Sequence, residues 1–141
     1  MTEHQIELVK NSWKILSKVD PELIGDVFYS KLFIEMPQVR PMFKTPRGTQ
    51  SRKLIATLSI IVNRLEELEE LTKDIEELAI RHVKYGVKPE HYKAVGSALF
   101  WTLERGLGID WSSEIAEAWH TCYSTLSQTM IKAAYPVRTT S

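Results

Sequence analysis

Apolar side chains recur every three or four residues along this chain, and one of those stripes ends in a histidine. Leu71, Ile75, Leu78 and His82 stand at separations of four, three and four, which is one face of an α-helix. A helix patterned this way turns its apolar face to a core, so the imidazole of His82 is carried inward with it. Gly86 follows four residues later, where a residue in the left-handed region closes a helix. A buried imidazole is satisfied either by a hydrogen bond to a carbonyl or by a metal. The spacing alone leaves both open.

The other segments repeat the helical period, and none alternates as a strand does. Thr2 with Gln5 forms a capping-box signature ahead of Ile6, Val9, Trp13 and Leu16. Asp20-Pro21 reads as an N-cap with proline at the first helical position, opening a helix that carries Leu23, Val27, Phe28 and Leu32. Pro37, Pro41 and Pro46 then forbid a continuous helix between Met36 and Arg47. That stretch reads as a short helix or turn followed by a loop, with Phe43 inside it. A helix from about Thr49 to about Leu65 bears Leu54, Leu58, Ile61 and Leu65, and the acidic run Glu66 to Glu70 reads as a solvated turn or helix face. Beyond the His82 helix, Pro89 opens one with Tyr92, Val95, Leu99 and Leu103, ending at Gly108. Asp110 or Ser112 caps a last long helix with Ile115, Trp119, Cys122, Leu126 and Met130, which ends at Pro136 and a polar tail. Six or seven one-faced helices must pack around something central.

Composition excludes several classes. At 141 residues the chain is expected to form one domain over 1–141. Lys+Arg and Asp+Glu both number 18, and no basic tract with interleaved aromatics points to nucleic acid. The N-terminal MTEHQIELVK has no apolar signal core and no apolar run reaches spanning length, so no membrane partner and a cytoplasmic location are expected. The single cysteine, Cys122, has no Cys-x-x-Cys partner, which argues against a structural zinc site. Gly-rich nucleotide-binding loops are absent too. Zero formal charge with four tryptophans points to burial of something rather than electrostatic capture.

Four short words then occur in order: FYSKLF from Phe28, PQVRPMF from Pro37, a helix ending in RHV at 81–83, and PEHYKAVG from Pro89. Their order and spacing resemble the globin family over essentially the whole chain, most of all bacterial single-domain haemoglobins and the globin domain of flavohaemoglobins. The resemblance implies an all-α globin fold of six to eight helices around a pocket for haem b. It implies that His82 is the proximal ligand of the haem iron, that Phe43 packs on the haem, and that Tyr92 helps orient the ligand histidine. Tyr29 and Gln50 match the distal tyrosine and glutamine, and Leu54 the apolar residue one turn beyond. Two of these matches agree with the bare pattern. Leu54 is four residues past Gln50, on the same helix face, and Tyr29 adjoins the Phe28 stripe. No histidine lies between residues 5 and 81, so no distal imidazole is expected.

Other polar groups carry plainer readings. His91 reads as a capping or surface residue with a propionate contact as the alternative, His4 as exposed, and His120 as off the apolar face. Cys122 reads as an inert buried thiol. Arg47 and Lys53 read as solvated, or as propionate contacts.

The resemblance implies reversible dioxygen binding at pentacoordinate ferrous iron. Oxygen gathers negative charge on binding and so gains more than carbon monoxide from Tyr29 and Gln50 donors. The alternative is a nitric oxide dioxygenase, in which oxygen and nitric oxide give nitrate. With Ser141 as its last residue the chain is expected to lack a flavin or nicotinamide domain, so turnover would draw on a reductase in trans. A haem-free helical module in a signalling assembly is a third reading, and His82, Phe43 and Tyr92 argue against it. The sequence departs from flavohaemoglobins at one place: their glutamate near the end of the last helix is replaced here by Ala134. That departure implies a less basic proximal imidazole.

Overall fold

The computed structural model describes residues 1–84 and 86–135. Pro136 and the polar tail, expected to end the last helix, lie outside the described residues. Six α-helices account for most of the rest: α1 (Glu3–Leu16), α2 (Pro21–Glu35), α3 (Arg47–Asn63), α4 (Thr72–Lys84), α5 (His91–Leu107) and α6 (Ser113–Ala134). Short 3₁₀ turns cover Pro37–Met42, Leu65–Glu67 and Gly108–Asp110.

The helix boundaries follow from local chemistry. Thr2 and Gln5 complete the capping box of α1, and the Asp20 carboxylate accepts from the Glu22 N–H at the start of α2. Ser112, not Asp110, caps α6 by accepting from the Ile115 N–H. The prolines convert 37–42 into a 3₁₀ turn and leave Phe43 in the loop behind it. The acidic run is a solvated turn: Glu66, Glu67, Glu69 and Glu70 are all exposed, and Glu66 pairs with Lys10. Helix α3 begins at Arg47, two residues before the expected Thr49, and Leu65 falls in the turn after it.

One expected stripe is rotated. Helix α2 buries Ile24, Gly25, Phe28, Tyr29 and Leu32, while Leu23 is 58% exposed. Ile24, one residue on, is buried in its place. The true face includes a glycine, which an apolar count passes over.

That glycine is where α2 and α3 cross. A Cβ on Gly25 would lie 1.9 Å from Ser51 Oγ and 3.0 Å from the Ser51 Cα, so only a residue without a side chain allows this approach. Ser51 is fully buried, and its hydroxyl finds no partner among the described residues. The buried tryptophan N–H groups, by contrast, are satisfied. Trp119 Nε1 donates to Ser12 Oγ at 2.8 Å and Trp13 Nε1 to Ser59 Oγ at 3.0 Å, tying α1 to α6 and to α3.

The core is in two parts. The larger takes residues from α1, α2, α3, α5 and α6. The smaller gathers Leu71 and Ile75 of the His82 stripe, and Ala79 beside them, with Tyr92 and Met130, while Leu78 is partly buried against it. They share Leu68 and Leu126 at their borders. Helix α3 packs on α2, and α4 packs on α6. The helices that carry Gln50 and His82 therefore take their main packing from different partners.

The crossing yields two opposite predictions. Gly25→Ala gains about 1 kcal/mol of helix propensity but forces α2 and α3 apart, and should lower stability by about 2 kcal/mol net, at the upper end of overpacking costs. Ser51→Ala removes an unpaired buried hydroxyl without adding volume and should leave stability unchanged or raise it by about 1 kcal/mol. Chemical denaturation of both variants reads the signs.

Candidate functional site

His82 lies two residues from the end of α4 and is half-buried. Its backbone is held by a Schellman turn. The Val87 N–H donates to the His82 carbonyl at 3.1 Å and the Gly86 N–H to the Val83 carbonyl at 3.0 Å, with Gly86 at φ +91°, a conformation that glycine adopts at little cost. The imidazole is held as well. His82 Nδ1 is 2.7 Å from the Leu78 carbonyl. A carbonyl can only accept, so Nδ1 carries the proton and the lone pair of the neutral ring is on Nε2. That is the nitrogen and the tautomer a metal would take. The two readings of a buried histidine, carbonyl-bonded or ligand, are therefore compatible in one ring.

Tyr92, in the first turn of α5, joins the same cluster as the His82 stripe. Burial, and then the nearby Tyr135, pushes its phenol up to about 12, so it stays protonated. Its hydroxyl has no partner among the described residues. Ala134, the last residue of α6, packs on this cluster and offers no acceptor to that hydroxyl. Two residues that the sequence reading passed over support this side. Tyr123 donates to the Tyr92 carbonyl at 2.5 Å, its ring seated where Gly96 leaves room, and Tyr135 donates to the Val87 carbonyl beside the Schellman turn.

Tyr29, Phe43 and Gln50 meet around a cavity of about 180 Å³ that Phe33, Arg40, Thr45 and Arg47 also line. Tyr29 is buried at 3% exposure. Its ring stacks on Phe33 at 5.9 Å and meets Phe43 edge-on at 5.2 Å. Burial pushes the Tyr29 phenol up to about 12, against a hydrogen bond with Gln50 and the field of Arg47. At neutral pH it is an un-ionised O–H donor. Phe33 was legible in retrospect: it is four residues past Tyr29, hence its neighbour on the helix face. Leu54 is half-buried against the larger core.

The plainer readings also resolve. His91 is buried, so it is not a surface residue, and its Nδ1 accepts from the Lys88 N–H at 3.0 Å, which ties the loop before α5 to the helix rather than capping it. His4 pairs with Glu114 at the surface, and exposed His120 stacks on Phe100 at 3.9 Å. Burial pushes the Cys122 thiol up to about 11, an inert group. Arg47 pairs with Asp26 at 3.5 Å, and Lys53 is exposed.

The structure therefore presents two half-sites. Tyr29, Phe43 and Gln50 share a cavity, whereas Tyr92 belongs to a separate cluster with Leu71 and Ile75, and neither Tyr92 nor His82 lines that cavity. Among the described residues no three His, Cys, Asp or Glu side chains gather as a metal cage. A metal on His82 would then have to bring its other ligands with it, as iron in a macrocycle does. A core in two parts and a buried phenol on Tyr92 with no partner among the described residues fit a flat, largely apolar prosthetic group.

Comparison with known proteins agrees with that geometry. The globin family model matches residues 26–130. A flavohemoprotein of Vibrio cholerae is 28% identical over 134 residues, covering 93% of this chain and 34% of that protein. A globin-like protein of Aquifex aeolicus is 29% identical over 131 residues, covering 93% of this chain and 92% of that one. The structure of a bacterial globin from Campylobacter jejuni superposes with a TM-score of 0.81 at 29% identity, covering 94% of this chain and 96% of that one. The chain spans about a third of the length of the flavohemoproteins it matches. The chain belongs to the globin family and has the fold of a haem protein.

Proposed function

We propose that this chain binds haem b through Nε2 of His82 and reversibly holds dioxygen, with Tyr29 and Gln50 as donors to the ligand. The observation that carries the reading is the hydrogen bond from His82 Nδ1 to the Leu78 carbonyl, which sets the tautomer a metal would take. Haem would supply the ferrous iron at which a diatomic gas binds. The protein's part is to orient and to shelter. The Leu78 carbonyl, by accepting from Nδ1, holds the ring plane and makes Nε2 a better donor. Phe43 and Leu54 would offer apolar contact to the ring and keep water out. Tyr92 would brace the proximal side through the cluster it shares with the His82 stripe.

On the distal side the Tyr29 hydroxyl and the Gln50 amide are neighbours in a cavity too small for a drug-sized ligand, about 180 Å³ against roughly 300–1,000 Å³. Their O–H and N–H groups favour a ligand that gathers negative charge. A hydrogen bond of this kind contributes about 1–3 kcal/mol, so its effect falls on the rate of release.

A second reading, nitric oxide dioxygenation served by a separate reductase, draws on the likeness to flavohemoproteins and uses the same Tyr29 and Gln50. Sustained nitric oxide consumption with an added flavin reductase separates it from simple binding.

Tyr29→Phe removes a donor and keeps the ring packing on Phe33 and Phe43. Oxygen dissociation from the haem-loaded ferrous protein should quicken by about ten- to a hundredfold, at 1.4 kcal/mol per tenfold, with carbon monoxide dissociation changed far less. Stopped-flow displacement measures both, and an unchanged oxygen rate removes Tyr29 from the mechanism.

A further inference from the structure

The cavity beside Tyr29 has a charge pattern that oxygen binding does not call for. Seven residues line it, among them two arginines and no acid. Both guanidiniums are placed by one ring: Arg47 Cζ stands 5.6 Å and Arg40 Cζ 5.9 Å from the Phe33 centroid, within cation–π range. Phe33 is in turn fixed against Tyr29 and Phe43, so the two positive groups are tied to the cavity wall. Arg47 shares its charge with Asp26, but Asp26 lines a different groove, with Val27, Ser30, Lys31, Ile34 and Trp101. No described carboxylate pairs with Arg40. The field reaches inward as well, since Arg47 acts on the Tyr29 phenol.

We propose that Arg40 and Arg47, set around Phe33 at the distal cavity, form a docking site for small inorganic anions on their way to or from the haem iron. The inference rests on the haem reading given above. A neutral diatomic gas gains nothing from two guanidiniums. An anion the size of azide or nitrite does, because a planar guanidinium offers paired N–H donors to such a group and the low-dielectric wall of Phe33, Tyr29 and Phe43 focuses the field. The volume of about 180 Å³ admits a small ion with a few waters and excludes a nucleotide or a peptide. Thr45, which also lines the cavity, adds a hydroxyl donor.

The test uses the ferric haem-loaded protein and azide as the probe, with carbon monoxide binding to the ferrous form as the neutral control. The azide association rate of the unaltered protein should fall steeply as salt is raised, and the carbon monoxide rate should stay level. Neutralising both groups, Arg40→Gln with Arg47→Gln, should slow azide association at low ionic strength by about tenfold, at the lower bound of focusing effects, and leave carbon monoxide association unchanged. Lys14→Gln with Lys18→Gln makes the same change in net charge on exposed residues of and just beyond α1 and should leave the azide rate within about twofold of the unaltered protein. A salt-independent azide rate, or an equal loss in the lysine control, overturns the anion site and leaves the haem reading standing. Faster haem loss from the arginine variant with an unchanged azide rate overturns it too, and makes the pair a propionate clamp. A chain that takes up no haemin overturns both readings.

Discussion

The hydrogen bond from His82 Nδ1 to the Leu78 carbonyl is the interaction on which the site depends. It is made one turn back along the same helix, so it holds wherever α4 goes. It settles the tautomer, and the Schellman turn through Gly86 and Val87 settles the end of the helix that carries it. The position of Nε2 then follows from how α4 is packed. Helix α4 packs chiefly on α6. The chain in this way fixes one nitrogen through a helix that belongs to the smaller of the two clusters.

The division of the core is offset by contacts elsewhere. A domain of this size normally closes one hydrophobic core, whereas here the smaller cluster of α4, Tyr92 and Met130 meets the larger one through Leu68 and Leu126. The larger cluster is made secure at places far from the site. Gly25 and Ser51 bring α2 and α3 to close approach. The two tryptophan N–H groups of α1 and α6 are each satisfied by a serine. With that frame in place, Tyr29 and Gln50 hold their positions without help from the helix on the other side.

Much of the fold could be read from the sequence because caps and prolines act locally. The Thr2–Gln5 box, Asp20-Pro21, the proline break before Phe43 and the Gly86 end all appear where residue type alone places them. What could not be read depended on space rather than on hydropathy. The face of α2 was misjudged at Leu23 because its true centre includes Gly25, which counts as nothing on an apolar scale. Arg40, Phe33 and Tyr123 were passed over because their importance lies in which cavity or carbonyl they meet across the fold. For the site the stripe ending in His82 showed a buried imidazole but left its role open. The Leu78 bond shows why those two roles need not compete.

The most direct test of the account is the visible absorption spectrum of the protein after addition of haemin, reduced and then exposed to carbon monoxide, for the natural sequence and for His82→Gly. The account predicts stoichiometric uptake and a Soret band that shifts sharply with carbon monoxide in the natural protein. It predicts a weakened, altered spectrum in His82→Gly that free imidazole restores. Failure to take up haemin, or a His82→Gly spectrum identical to that of the natural protein, would contradict it.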